Sequence, residues 1–126
     1  MKQQSSGKII TVSSVAGTAP FANSGYAHYG AAKAAIAHYT RYLAQDRGPF
    51  GITANCIPPA LSPRANHGNG LSGQHPKATP NGPSWSRCRG LGTVEDCATV
   101  VEFLATNLSD YVTGAVIPTG DGLVRA

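Results

Sequence analysis

Two short apolar, β-branched runs with a helical segment between them constrain this chain more than any other feature. Lys8 to Val12, following Gly7, reads as a strand that ends at the Ser13-Ser14 pair, and Ile52 to Ile57 reads as a second strand stopped by Pro58-Pro59. Runs that are apolar at successive positions belong to strands buried on both faces, the pattern of parallel sheets. Between them, Gly17 to Gly25 contains Pro20, Asn23 and Ser24 and reads as a loop; the segment from about Ala27 to Arg47 reads as a helix closed by Gly48-Pro49-Phe50-Gly51. Ala32, Ala35, Ile36, Tyr39 and Leu43 recur at three- and four-residue steps and are the expected buried face. Strand, helix, strand is a βαβ unit, and such crossovers are parallel and right-handed in nearly all cases. The strand ends at Ser14 and Pro59 are therefore expected on one rim of an α/β sheet, the rim where ligands bind.

The remaining chain extends that plan. Leu61 to Gly92 has no periodicity and is dominated by glycine, proline, serine and asparagine. A loop this long is a functional lid, a disordered segment or a sign that the assignment is wrong; the composition of 62 to 90 is also what a local frameshift would yield. Thr93 then reads as an N-cap with Asp96 three residues on, opening a helix of about fifteen residues. Its inner face is predicted to be Val94, Cys97, Val101, Leu104 and Ala105, and Asn107 to Asp110 ends it. Gly114 to Ile117 reads as a last short strand, with Pro118 at its end.

With 126 residues, 41% of them hydrophobic and 13% charged, the chain has room for one domain with a core. A net charge of +4 raises the question of a nucleic-acid partner, but the ten basic residues are scattered, with only Arg87-Cys88-Arg89 clustered, so none is expected. Three cysteines without a C-x-x-C pair indicate neither a disulfide framework nor a thiolate metal site, and a cytoplasmic location fits. His28, His38, His67 and His75 have no companion ligands at metal spacing, so no metal is expected. No apolar run approaches the roughly 18 residues of a membrane span.

Chemistry enters at Tyr29-Gly-Ala-Ala-Lys33. Residues i and i+4 of a helix share a face, so the phenol and the ammonium project side by side, and Ser14 waits at the end of the first strand. Tyr29 and Lys33 alone would read as an ordinary amphipathic pair, and Ser14 alone as a cap. They do not stand alone: Ser13-Ser14-Val15-Ala16-Gly17, Tyr29 to Lys33, Gly51 to Pro59, Gly92 to Asp96 and Tyr111-Val112-Thr113-Gly114 follow in order. In this the chain resembles the C-terminal half of the short-chain dehydrogenase/reductase family.

The resemblance implies a partial Rossmann-like, doubly wound parallel sheet and an NAD- or NADP-dependent oxidoreductase acting on a small secondary alcohol or ketone. It implies Tyr29 as general acid/base, Lys33 as its electrostatic tuner and a donor to the nicotinamide ribose, and Ser14 as a holder of the substrate oxygen. A free tyrosine hydroxyl titrates at about 10, so a neighbouring cation is what makes such a group useful near neutrality. Pro59, Ala60 and Ser62 would lie against the nicotinamide, and the Tyr29–Lys33 helix would serve homo-oligomer formation. Several residues depart from the family pattern: Ala60 replaces a usual glycine, Arg64 a threonine, and Gly120-Asp121-Gly122 the usual Asp-Gly-Gly. No T-G-x-x-x-G-x-G turn and no Asn-Asn-Ala-Gly segment occurs, so the pyrophosphate cradle and a fourth catalytic residue, an asparagine, are missing. Met1 to Gln4 resembles the tail of the helix that would carry that asparagine, so the chain is expected to begin in mid-domain. The rival reading is a non-catalytic fragment that self-associates without holding cofactor.

Overall fold

Strand β2 (Ile52–Ile57) lies between two parallel neighbours and organises everything else. The computed structural model describes residues 1–20, 25–60 and 93–120. On one side β1 (Gly7–Val12) pairs with β2 in parallel, from Gly7↔Ile52 to Val12↔Ile57. On the other, Cys56 N donates to Ala115 O (2.9 Å), Ile117 N donates to Cys56 O (2.8 Å), and parallel bridges join Cys56 to Val116 and Pro59 to Thr119. The expected strand at Gly114 to Ile117 is thus a parallel line held by separate bridges. Ala115, Ile117 and Thr119 make the bonds to this edge, and the rung missing between them is the one that Pro58, with no N–H, cannot donate to Ile117 O.

Pairing on both edges buries β2: Ala54 and Cys56 are fully enclosed, and Ile52 and Ile57 nearly so. β1 differs from expectation. It is half-buried along its length and leaves Val12 51% exposed, because among the described residues it is paired along one edge only.

Helix α1 (Ala27–Arg47) has the expected bounds but not the expected face. Thr40 and Ala44 are buried, whereas Ala32, Ala35 and Tyr39 are exposed and Ile36 and Leu43 are half-buried. Hydroxyls set this rotation. Thr40 Oγ1 donates to Ile36 O (2.8 Å), leaving Thr11 Oγ1 of β1 to donate to it across 2.6 Å. An alanine-rich helix has little difference in hydrophobicity between its faces, so a buried hydroxyl pair that must be satisfied decides which one turns inward.

Helix α2 (Val94–Ala105) is twelve residues long, shorter than expected. Its start is the predicted one: Thr93 Oγ1 accepts from Asp96 N (3.1 Å), and Thr93 N donates to the Asp96 carboxylate (2.7 Å), a complete capping box. Leu104 is buried, Cys97 and Val101 are half-buried, and Val94 and Ala105 are exposed at the two ends. Burial, followed by the Asp96 carboxylate, pushes the Cys97 thiol up from its ordinary value. Lys8 is three residues from Thr11 and so on the opposite face of β1. It reaches Ser109 Oγ (3.2 Å) and Asp110 Oδ1 (2.7 Å) just beyond α2, so α1 and α2 cover opposite faces of the sheet.

Asn55 holds the third line in place. Buried within β2, it donates from Nδ2 to Val112 O (2.8 Å) and accepts at Oδ1 from Ala115 N (3.1 Å). Asn55→Ala leaves both backbone groups unpaired and is expected to cost about 3 kcal/mol. Urea unfolding should show the lower midpoint with an unchanged slope.

Candidate active site

The C-terminal ends of β1 and β2 meet as the βαβ reading requires: Ser13 N donates to Ile57 O (2.9 Å) and Val15 N to Pro59 O (3.1 Å). β1 then runs into a single 3-10 turn, Val15–Gly17, capped by Ser14, whose Oγ accepts from Ala16 N at 3.2 Å. This turn lies directly on the first part of α1. A Cβ built on Gly17 would come within 2.6 Å of Ala34 N and of the Lys33 carbonyl carbon, and one on Gly30 within 2.8 Å of Ala16 O. Only glycine permits a backbone approach this close.

Ser13 adds a bond to the same seam. It is buried and donates from Oγ to Lys33 O at 2.6 Å. Ser13 is the residue that sequence reasoning missed. Its signal was the doubled serine at a strand end, where alternation sends successive side chains to opposite sides and gives the two hydroxyls separate duties.

Tyr29 and Lys33 sit on α1 immediately beside this seam. Tyr29 is 41% exposed, and the Lys33 Nζ lies 5.6 Å from the centre of its ring, the side-by-side placement that the i, i+4 spacing predicts. Lys33 Nζ also donates to Val12 O across 3.2 Å. The seam thus brings Lys33 to the end of β1, with Tyr29 one helical turn before it on α1 and Ser14 capping the turn against which α1 packs. A shallow cavity of about 420 Å3 opens on the adjoining face, between Ala16 to Pro20 and the small residues Ala27, Gly30, Ala31 and Ala34. Ser14, Tyr29 and Lys33 do not line it.

Of the other predicted residues, Pro59 accepts from Val15 and Ala60 donates from its N–H to Thr119 O (2.9 Å), so both are tied into the sheet. A Cβ on Gly120 would overlap that of Ala60. Ser62, Arg64 and the whole of 61–92 lie outside the described residues, as do Asp121 and Gly122. Among the described residues no helix is long and apolar enough to cross a membrane, and no three His, Cys, Asp or Glu side chains are grouped to hold a metal.

A parallel sheet with helices on both faces, carrying its polar side chains at the C-terminal rim, defines a Rossmann-type α/β fold. A family model described as enoyl-(acyl carrier protein) reductase matches residues 1–123. Cyclohexanol dehydrogenase of Rhodococcus sp. (strain TK6) is 52% identical over 123 residues, 98% of this chain and 44% of that protein. The 3-oxoacyl-(acyl-carrier-protein) reductase of Pseudomonas aeruginosa is 35% identical, over 93% of this chain and 45% of its own length. Among solved structures, a 3-oxoacyl-(acyl-carrier protein) reductase with bound NAD from Brucella melitensis superposes with a TM-score of 0.79 at 28% identity, covering 100% of this chain and 44% of that one. The chain belongs to the short-chain dehydrogenase/reductase family, and it spans less than half the length of these relatives.

The close seam makes a sharp prediction. Gly17→Ala must push the turn off α1 and is expected to cost about 2 kcal/mol. Gly25→Ala, where a Cβ meets nothing within 4 Å, should be nearly neutral in the same thermal-unfolding measurement.

Proposed function

We propose that this chain carries the proton-transfer side of an NAD- or NADP-dependent oxidoreductase that interconverts a secondary alcohol and a ketone. The observation that carries this reading is the placement of Tyr29 and Lys33, one helical turn apart, against the Ser14-capped turn at the sheet rim. Tyr29 takes the proton of the substrate hydroxyl in oxidation and returns it in reduction. Lys33 brings a positive charge to 5.6 Å from the ring centre and stabilises negative charge developing on the phenol oxygen. Ser14 holds the substrate oxygen with its hydroxyl, and the seam from Ser13 and Gly17 to Lys33 keeps these groups in register with β1. The 52% identity to a cyclohexanol dehydrogenase supports a small secondary alcohol as the substrate class.

The residues present suit one end of a dinucleotide. The Lys33 ammonium and the Tyr29 hydroxyl are the donors that a ribose diol accepts from, and Pro59 and Ala60 stand beside the same rim, with Ser62 assigned to that loop. When bound, the nicotinamide supplies the site from which hydride is exchanged. For the pyrophosphate end the sequence offers no T-G-x-x-x-G-x-G pattern of the kind that cradles phosphates at a helix start. The chain is assigned to a single domain, part of the fold that its longer relatives possess, and the substrate lid assigned to 62–92 lies outside the described residues.

The exposed face of α1, with Tyr39 and Tyr42 each more than half accessible, is assigned to homo-oligomer contact. Free cysteines at Cys56 and Cys97 suit a cytoplasmic setting. A second reading, a fragment that associates but holds no cofactor, draws on the 44% coverage of the Rhodococcus relative and on the absent Gly-rich turn.

Titrating NADH and NADPH against the purified chain and following nicotinamide fluorescence separates the two. Saturable binding is expected of an oxidoreductase; none at millimolar cofactor assigns the chain to the second reading. With cyclohexanol and bound cofactor, Tyr29→Phe is expected to lower turnover by about a thousandfold while leaving the circular dichroism spectrum unchanged. Equal turnover in that variant removes Tyr29 from the mechanism.

A further inference from the structure

Thr11 in β1 and Ser13 just past its end stand on the same side of the strand, toward α1. Each meets that helix with a hydroxyl: Thr11 Oγ1 reaches Thr40 Oγ1 at 2.6 Å, and Ser13 Oγ donates to Lys33 O at 2.6 Å. The two bonds differ in what they satisfy. Thr40 brings a buried hydroxyl that needs a partner, whereas Lys33 lies inside α1, where its carbonyl already accepts a helical N–H. The helix backbone therefore does not need the Ser13 bond, and an alanine at position 13 would leave no carbonyl orphaned. What the bond adds is a constraint on one residue, made in a buried place where water does not compete for it. Lys33 is held at three points. Ser13 takes its carbonyl, its Cβ rests against Gly17, where an added Cβ would come within 3.0 Å of it, and its ammonium donates to Val12 O across 3.2 Å.

We infer that Ser13 is a positioning residue for Lys33: its hydroxyl pins the backbone from which the ammonium is presented at the end of β1. As a statement about turnover this rests on the reading proposed above; as a statement about the Lys33 side chain it does not. A lysine stem is long and flexible, so its ammonium samples a wide region unless the base of the stem is fixed. Holding the carbonyl and the Cβ narrows that region to the space between Val12 O and the Tyr29 ring, whose centre the ammonium approaches to 5.6 Å. Ser14 does not share this duty, since its Oγ turns to the Val15–Gly17 turn and accepts from Ala16 N. Thr40 stands roughly two helical turns beyond Lys33, so its pair with Thr11 supports α1 without gripping Lys33.

The test follows the Lys33 side chain by nuclear magnetic resonance in a chain carrying isotopically labelled lysine, its ε-methylene signal assigned by its loss in Lys33→Arg. Ser13→Ala is expected to move that signal most of the way toward its position in the urea-unfolded chain. Thr40→Val also removes a hydroxyl between β1 and α1 but leaves Thr11 the Asn55 carbonyl. It is expected to lower the unfolding midpoint and leave the Lys33 signal in place. Ser13→Thr keeps the hydroxyl and should keep the signal. A folded S13A chain with an unmoved signal overturns the proposal. So does a T40V chain in which the signal moves as far as in S13A, because any loosening between β1 and α1 would then suffice. If S13A fails to fold, Ser13→Cys, similar in shape and a weaker donor, decides: an unmoved signal there overturns the role as well. With cyclohexanol and cofactor, S13A is expected to lower kcat about tenfold with little change in KM for the alcohol, and Ser13→Thr to restore it. A change in KM alone contradicts a positioning role. A chain without turnover contradicts the reaction proposed above, while an unmoved Lys33 signal contradicts the role of Ser13, so the two failures are read on different signals.

Discussion

The contact between the Val15–Gly17 turn and the first two turns of α1 is the constraint on which the rest of the site depends. Backbone meets backbone there, with Gly17 against Lys33 and Ala34, and Gly30 against Ala16. Ser13 closes the same seam with a hydrogen bond to the Lys33 carbonyl. A packing this tight has few ways to relax, because close-packed interiors answer added volume with displacement rather than compression. It sets how far Tyr29 and Lys33 stand from the end of β1, and hence from Ser14.

Stability is distributed unevenly around that seam. β2 is covered on both edges and both faces; its buried Asn55 has a partner for its oxygen and for its nitrogen, while the enclosed Thr53 hydroxyl finds none among the described residues. Among the described residues β1 is paired along one edge, and the proposed site lies at its end. The residues that would carry chemistry are therefore attached to the less supported strand. Lys33 adds a tie to that strand, since its ammonium donates to the Val12 carbonyl.

Much of this was readable from residue order. The bounds of α1 and β2, the Thr93–Asp96 cap and the shared rim of Ser14 and Pro59 follow from periodicity, proline punctuation and βαβ geometry, and they are found as expected. The buried face of α1 was not readable, because its alanines make several faces equally apolar and the choice falls to a tertiary hydroxyl pair, Thr11 with Thr40. The exposure of β1 was hidden for a related reason: an apolar run says that a strand suits burial on two faces, not that both of its edges find partners. Ser13 went unread beside Ser14 because the doubled serine signals two separate hydroxyl duties without saying which serine anchors the helix and which caps the turn.

The seam itself can be observed directly by nuclear Overhauser spectroscopy on the isotopically labelled chain. Strong cross-peaks are expected between the Gly17 α protons and the backbone amide of Ala34, since a Cβ at Gly17 would fall 2.6 Å from that nitrogen. Their absence, in a chain whose β1 and β2 amides still show the parallel ladder, would mean that the turn does not rest on α1 and that Ser14, Tyr29 and Lys33 are not assembled in this way.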